Sequence, residues 1–202
     1  HNTAGILVFD LPDLPQQGGH HIRVFNNKSI DNDTDNFAPE GNIVGEVPRG
    51  SGIIVMANSD VEIFKNTISG NGTVNLAIVS YGSETEDSNY YPHPKRIQVN
   101  NNEYGRSGFE PDLSTGDLAK VLHEVSDGEM ADIFWDGVLP LSQMVFGQPD
   151  DEKLKIDEQN QPNFLAMSPL KYLIGLSNPI KKDIKQYKGE IIPLPAVSLE
   201  SL

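Results

Sequence analysis

The feature that most constrains the fold is an alternation of two kinds of short apolar segment along the first half of the 202-residue chain. The first kind is apolar almost throughout and occupies residues 5–9, 52–56 and 75–79. The second kind alternates apolar with polar residues and occupies residues 22–27, 61–66 and 97–102. Because the two kinds take turns along the chain, we predict that each consecutive pair forms one coil of a stacked solenoid.

The second kind of segment carries a polar row and a set of asparagines. Its apolar residues are two apart and point to one face, so the residues between them, Arg23, Glu62 and Gln98, point to the other. An asparagine follows at the same position in every copy, as Asn27, Asn66 and Asn102. Stacked coils would bring these amides about 4.8 Å apart, where each can hydrogen-bond the next. The alternative is that they are ordinary turn residues.

Longer polar segments interrupt the repeat and are interpreted as loop insertions at residues 30–48, 82–94 and 105–130. The third insertion is predicted to hold a helix near residues 115–125, capped by Ser114 or Thr115. Apolar residues recur there at helical spacing, as Leu118, Val121, Leu122 and Val125. This apolar stripe predicts that the helix packs against the coils.

The chain divides into two parts in this interpretation. Residues 1–137 hold the coils, the inserted loops and a final strand at residues 131–137 that closes the stack. Residues 138–202 are punctuated by proline and are predicted to form an irregular tail that packs on the solenoid, with a short helix near residues 168–174.

The outward positions of the first kind of segment are apolar as well, namely Leu7, Ile54 and Ala77. A strand that is apolar on both sides is typical of a sheet that is covered on both faces. We therefore predict that a loop, the helix or the tail packs over this sheet.

The repeated segments resemble those of a known superfamily. The Gly-Ile-x-Val and Ile-x-Val-x-x-Asn patterns within residues 4–137 resemble right-handed parallel β-helices of the pectate-lyase-like superfamily. Residues 5–12, 37–44 and 132–137 are similar to secreted bacterial parallel β-helix domain proteins, a family with no agreed reaction. The resemblance implies an all-β, right-handed parallel β-helix of about three to four coils, with long loop insertions, one short helix and a Pro-rich C-terminal tail. It also implies a secreted or periplasmic protein.

Composition excludes several classes of function. With 29 acidic and 15 basic residues, the formal net charge is −14, which argues against a nucleic-acid backbone as partner. The absence of cysteine excludes thiol catalysis and thiolate metal sites. No apolar stretch is long enough for a membrane helix, so no membrane span is predicted.

The resemblance also directs attention to a groove along one sheet. Polysaccharide lyases and epimerases of this fold use a basic residue beside carboxylates in such a groove. Arg23, Glu62 and His21 are the candidate catalytic residues under that interpretation, and Phe25, Phe64 and Gln98 are the candidate binding residues. The alternative is structural, with Arg23 and Glu62 forming a salt bridge worth under about 1 kcal/mol on a solvated face.

One loop has the opening of a calcium site. Asp31, Asp33 and Asp35 occupy alternate positions, as in a calcium-binding loop. Asn36 and Asn42 stand where such a loop would have glycine and glutamate, so a flexible solvated loop is the alternative. Calcium is the one cofactor that these patterns suggest.

Two functional hypotheses follow from the sequence. The first is an exported β-helix module that binds a carbohydrate or a protein partner and forms the C-terminal part of a longer β-helix. The second is a lyase or epimerase acting on an acidic, uronate-containing polysaccharide. The strand at residues 4–9 has no preceding helix to cover the end of the stack. We therefore expect a further β-helix segment, from the same gene product or a second chain, to stack on residues 4–9 and 21–27.

Overall fold

The protein is built on three largely parallel β-sheets, as seen in a computed structural model that describes residues 1–39, 41–126, 131–169 and 180–196. Sheet A contains, in spatial order, β1 (Ala4–Phe9), β4 (Ser51–Met56), β7 (Val74–Val79), β10 (Ile133–Trp135), β12 (Phe164–Met167) and β13 (Ile180–Lys181). Sheet B contains β2 (Ile22–Phe25), β5 (Ser59–Phe64), β8 (Lys95–Asn100) and β11 (Lys155–Asp157). Sheet C contains β3 (Lys28–Ile30), β6 (Thr67–Ser69) and β9 (Glu103–Tyr104). Every pairing is parallel except that of β12 with β13.

The helical elements whose bounds the structure describes are short. These are α1 (Leu118–Ser126), α2 (Leu141–Phe146) and 3-10 turns at Ile43–Glu46 and Ile184–Tyr187. Within the described ranges, no helix is long and apolar enough to cross a bilayer. The predicted all-β class is therefore confirmed, with strands in parallel sheets supplying the framework.

The strand register follows the repeats seen in the sequence. In sheet A, Leu7 pairs with Ile54, which in turn pairs with Ala77. In sheet B, Arg23 pairs with Glu62, which in turn pairs with Gln98. Residues at the same position of each repeat therefore form rows across the sheets.

Equivalent residues near the two ends of the sheet B strands adopt a left-handed backbone conformation in successive repeats. Ahead of the central part of each sheet B strand, φ is 57°, 52° and 54° at His21, Asp60 and Arg96. After those strands, φ is 55°, 55° and 53° at Asn26, Lys65 and Asn101. The chain therefore bends in the same way at the same place in each repeat, which keeps the strands in register.

Buried apolar side chains from the three sheets meet in one core. Ile53 of sheet A, Ile63 of sheet B and Ile68 of sheet C are fully buried members of one cluster. Since side chains alternate along a strand, burial of Val61 and Ile63 turns the intervening Glu62 to the opposite face of sheet B. The core thus determines which side chains the outer face of sheet B presents.

The second face of sheet A is covered, as predicted. Ile54 is 2% exposed and Ala77 is fully buried, and Leu7 packs against the same cluster. The apolar stripe of α1 joins this cluster through Leu118, Val121, Leu122 and Val125. Helix α1 therefore serves as a cover for sheet A.

The helix begins later than predicted. It starts at Leu118 and is not capped by Ser114, whose hydroxyl donates to Asp112 instead. Gly116 adopts φ +59°, and a Cβ there would lie 2.2 Å from the carbonyl oxygen of Glu46. This left-handed residue cannot belong to an α-helix, so the helix forms only beyond it.

The expectation that the strands end at residues 131–137 is wrong, and the region after residue 137 is only partly irregular. Strand β11 continues sheet B, and β12 continues sheet A. These strands have three and four residues, which is too short for a periodic signal. Most of the helix predicted at residues 168–174 lies outside the described residues.

Candidate binding face of sheet B

The outer face of sheet B carries a polar row at its centre. The row consists of Arg23, Glu62 and Gln98, and the strand register adds Lys155 as a fourth member. Arg23 Nε donates to Glu62 Oε2 at 2.8 Å, so the predicted ion pair is present. Glu62 is only 4% exposed and Gln98 only 8% exposed. The middle of the row is therefore enclosed, not solvated.

A segment from near the C-terminal end of the described chain encloses this row. Residues 192–195, which we call the covering segment, read Ile-Pro-Leu-Pro. Gln98 binds both main-chain groups of Ile192, with its Oε1 accepting from N at 2.6 Å and its Nε2 donating to O at 2.7 Å. Glu62 Oε1 accepts from Leu194 N at 2.7 Å. Three neighbouring strands thus hold one extended segment, since Arg23 also donates to it.

Arg23 completes the contacts with the covering segment. Its Nη2 donates to the carbonyl oxygens of Leu194 and Pro195, the latter at 2.7 Å. Hydrogen bonds that involve a charged group are stronger than neutral ones. Arg23 therefore joins the segment to the sheet while its Nε remains bound to Glu62.

An aromatic pair lies beside the polar row. Phe25 and Phe64 follow Arg23 and Glu62 by two residues, so they lie on the same face of the sheet. Their rings stack with centroids 5.0 Å apart and an interplanar angle of 6°. Phe25 is 45% exposed, so the stack presents an apolar surface next to the covering segment. Such a surface is able to bind the flat face of a sugar or an apolar side chain.

The other side of the row is charged. Arg96 binds Asp60 through two hydrogen bonds, from Nε at 2.6 Å and Nη2 at 2.8 Å. The hydrogen bond from Arg96 lowers the pKa of Asp60 below its ordinary value. A cavity of about 280 Å³ lies here beside the covering segment, and its charged lining residues are Asp60, Arg96, Asp151, Lys153 and Lys155.

The candidate base His21 lies at this charged side and not with Arg23. Its ring meets the ring of His20 edge-on, with centroids 4.8 Å apart. Its positive charge when protonated contributes to lowering the pKa of Asp60. The structure thus brings Arg23 and Glu62 together and associates His21 with a different carboxylate.

Two aspartates of the predicted calcium loop have ion-pair partners. Asp33 contacts His1 at 3.0 Å, and Asp35 lies 3.4 Å from Arg49. In the part of the chain that the structure describes, no three His, Cys, Asp or Glu side chains converge on a point that would hold a metal. Asp33 and Asp35 thus lie along a loop with separate partners.

The predicted asparagine ladder is present and is longer than expected. Asn27 N and Nδ2 donate to Asn66 Oδ1, and Asn66 N and Nδ2 donate to Asn102 Oδ1. Asn102 then donates to both carboxylate oxygens of Glu158, each at 2.8 Å. Burial raises the pKa of Glu158 above its ordinary value.

A second set of linked asparagines was missed in the sequence. Asn32 Nδ2 donates to Asn71 Oδ1 at 2.9 Å, and Asn71 Nδ2 donates to Asn75 Oδ1 at 2.8 Å. The signal was a common offset, because Asn32 follows Asn27 by as many residues as Asn71 follows Asn66. Both asparagine sets brace the repeats from within and do not face a ligand, since Asn32, Asn66 and Asn71 are all buried.

A further polar cluster lies at the ends of β7 and β10. Ser80 Oγ is 3.0 Å from His93 Nδ1, and Asp136 Oδ2 accepts from the backbone N of Ser80 at 2.6 Å. Burial raises the pKa of Asp136 to about 7 and lowers that of His93. In a catalytic triad the carboxylate orients the histidine. Here Asp136 binds Ser80 instead, so the cluster differs from a triad.

Comparison with known proteins adds no family to this description. No family model, no curated protein and no solved structure matches the chain.

Proposed function

We propose that sheets A, B and C are the three faces of a right-handed parallel β-helix. Support comes from the chain order, in which one strand of each sheet follows another through three successive repeats. The asparagine ladder, which links equivalent positions of neighbouring repeats, supports the same arrangement. The resemblance to secreted β-helix proteins supports the further proposal that the protein is exported.

We infer that the outer face of sheet B binds an extended partner chain. The single observation that carries this proposal is the covering segment, whose main-chain groups are held by Gln98, Glu62 and Arg23. A face that fits one extended polypeptide at three neighbouring strands has the spacing and polarity to bind another. A segment of a protein partner is therefore the favoured ligand.

An acidic or neutral polysaccharide is the second candidate ligand. The stacked and partly exposed rings of Phe25 and Phe64 favour it, because sugars bind on aromatic platforms. The cationic side chains of Lys153 and Lys155 beside the nearby cavity offer contacts for uronate carboxylates.

A lyase or epimerase is the alternative to a binding module. Arg23 would serve as the base only after losing its contacts with Glu62 and with two carbonyl oxygens of the covering segment. Incubation with alginate and with pectate tests this alternative through the ultraviolet absorbance of an unsaturated product. A rise in absorbance would establish lyase activity and contradict a purely binding role.

The binding proposal is tested with immobilised alginate, pectate and a panel of short extended peptides. We expect the chain to be retained on at least one of these surfaces, and Phe25→Ala to weaken retention by about tenfold. Phe146→Ala is the matched control, because Phe146 is 88% exposed and lies on α2, which is not part of sheet B. Equal retention of both variants, or retention on none of the surfaces, would overturn the proposal.

A further inference from the structure

We propose that the outer face of sheet B is a receptor for a partner-protein segment of the pattern Xaa-Pro-Xaa-Pro, and that residues 192–195 occupy it as an internal competitor. This inference rests on the proposed binding function and specifies its ligand. It assigns a recognition role to Gln98, Glu62 and Arg23, and a regulatory role to the covering segment.

The hydrogen-bonding capacity of the segment matches the face. Proline has no N–H, so the covering segment has only two main-chain donors, at Ile192 and Leu194. Both are used, by Gln98 Oε1 at 2.6 Å and by Glu62 Oε1 at 2.7 Å. Proline also fixes φ near −65°, so a segment with two alternating prolines loses less conformational freedom when it binds. Alternating prolines therefore form part of the recognition pattern.

The side chain at the first Xaa position contributes little to the contact, whereas Leu194 at the second is partly buried. Ile192 is 59% exposed, and Pro193 and Pro195 are also exposed. The hydrogen bonds all involve main-chain atoms, which every sequence of this pattern shares. The face consequently accepts different residues at the first Xaa position, and a partner with its own Xaa-Pro-Xaa-Pro segment is able to replace the internal one.

The receptor side is arranged in advance. Glu62 and Gln98 are buried, and Arg23 is positioned by its bond to Glu62 at 2.8 Å. When the segment leaves, the amide of Gln98 and one oxygen of Glu62 lose these partners and become accessible to water, which takes their place. The vacated face is therefore hydrated and is able to accept another segment.

The covering segment is able to leave without dismantling its anchor. The preceding 3-10 turn is held by Tyr187, whose ring packs at 5.4 Å from Trp135 and 4.8 Å from Phe164. Gly189 lies between this anchor and the segment, and it gives the connection conformational freedom. Release therefore requires the hydrogen bonds to sheet B to be exchanged and the partly buried Leu194 side chain to be withdrawn.

The test uses a labelled peptide with the sequence of residues 190–196, Glu-Ile-Ile-Pro-Leu-Pro-Ala, and fluorescence anisotropy. The full chain carrying Ile192→Pro and Leu194→Pro lacks both main-chain donors, so its own segment should leave the face. We expect this double variant to bind the peptide at least about tenfold more tightly than the unmodified chain, because the internal competitor lowers the fraction of free face. Glu190→Pro controls for the introduction of proline outside the covering segment. A peptide with the same two proline substitutions should not bind.

Amide hydrogen exchange on the unmodified chain provides a measurement that needs no variant. Excess peptide should speed exchange at Ile192 and Leu194, because the internal segment is displaced.

Unchanged exchange together with equal peptide affinities of the double variant and the unmodified chain would overturn the inference. If the chain is retained on alginate, pectate or other peptides in a Phe25-dependent manner but does not bind this peptide, the inference is overturned and the proposed binding function stands. Failure of every ligand would overturn the proposed function as well. If the chain forms dimers that the peptide dissociates, the covering segment is exchanged between two copies of the chain. That result would overturn the assignment of the face to a separate partner protein.

Discussion

Asparagine amides at the residue scale connect neighbouring strands where the backbone turns. Asn66 is the central example, because its Oδ1 accepts two hydrogen bonds from Asn27 and its Nδ2 donates to Val24 O and Asn102 Oδ1. It is 1% exposed, so water cannot replace these partners. A single side chain thus satisfies polar groups on two repeats.

Replacing Asn66 by alanine should lower the free energy of unfolding by about 1–3 kcal/mol, because buried polar groups on both sides lose a partner. Urea titration of the two proteins measures the difference. Asn89→Ala is the control, since Asn89 is exposed and the change should be close to neutral. A comparable loss in both variants would show that the ladder does not stabilise the fold.

The buried carboxyl group of Asp136 should make the stability of the fold depend on pH. Burial raises its pKa in the folded protein from 3.8 to about 7, so the folded protein binds a proton that the unfolded chain releases. This contribution to stability is complete below pH ~4 and is lost as the pH rises towards ~7, with a slope of at most about 1.4 kcal/mol per pH unit. Comparison with Asp136→Asn isolates this pH-dependent contribution to stability, because asparagine does not titrate.

We expect the difference in unfolding free energy between the unmodified chain and Asp136→Asn to decrease from pH 4 to pH 7. The variant has a constant offset, because its amide offers only one acceptor oxygen to the N–H groups of Ser80 and Val138. Thermal unfolding across this range provides the measurement. A difference that stays flat with pH would mean that Asp136 is ionised throughout.

At the scale of elements, helix α1 covers the outer face of sheet A through one apolar stripe. Leu122 is 1% exposed and packs in the cluster formed with Ile54, Ala77 and Phe134 of sheet A. The helix has nine residues and would be marginal alone, so its stability comes from this contact. The sheet in turn depends on the helix to shield its apolar outer face from water.

Truncating Leu122 to alanine should reduce the free energy of unfolding by about 2–5 kcal/mol through lost burial and the cavity left behind. Lys120→Ala on the exposed side of the same helix should change it by less than about 0.5 kcal/mol. Chemical denaturation of both variants tests the pair. If Leu122→Ala unfolds like the control, the helix does not contribute to the cooperative unit.

At the scale of the whole molecule, one end of every sheet is an open edge. Strands β1, β2 and β3 are terminal in sheets A, B and C, and on their outer side no strand of the described residues pairs with them. Three adjacent edges offer unpaired main-chain groups and the end of the apolar core, where Ile22 is only partly buried. Such an end is a template for a further strand-bearing segment.

We expect the 202-residue chain to self-associate with rising concentration, in a manner that added salt does not reverse. Main-chain pairing and core contact, unlike charge attraction, persist at high ionic strength. Light scattering across a concentration and salt series gives the measurement, and Ile22→Lys should weaken association by placing a charge at the open end. A chain that stays monomeric at high concentration would contradict this expectation.

Local patterns were sufficient to predict much of this architecture. The period-two alternation at residues 22–24, 61–63 and 97–99 determined which side chains enter the core, and the recurring Asn27, Asn66 and Asn102 determined how the strands align. The apolar stripe predicted that α1 covers sheet A. These features repeat along the chain, so each copy supports the interpretation of the others.

The tertiary structure alone decided what lies on the outer face of sheet B. Gln98 and Ile192 are 94 positions apart, and no periodic pattern links them. The Pro-rich sequence predicted an irregular tail that packs on the rest of the chain, but not that Gln98, Glu62 and Arg23 bind its main-chain groups. Sequence periodicity reports which face of a strand is buried, because burial depends on local alternation. Which distant segment covers a polar face depends on the path of the whole chain, and only the folded protein specifies that path.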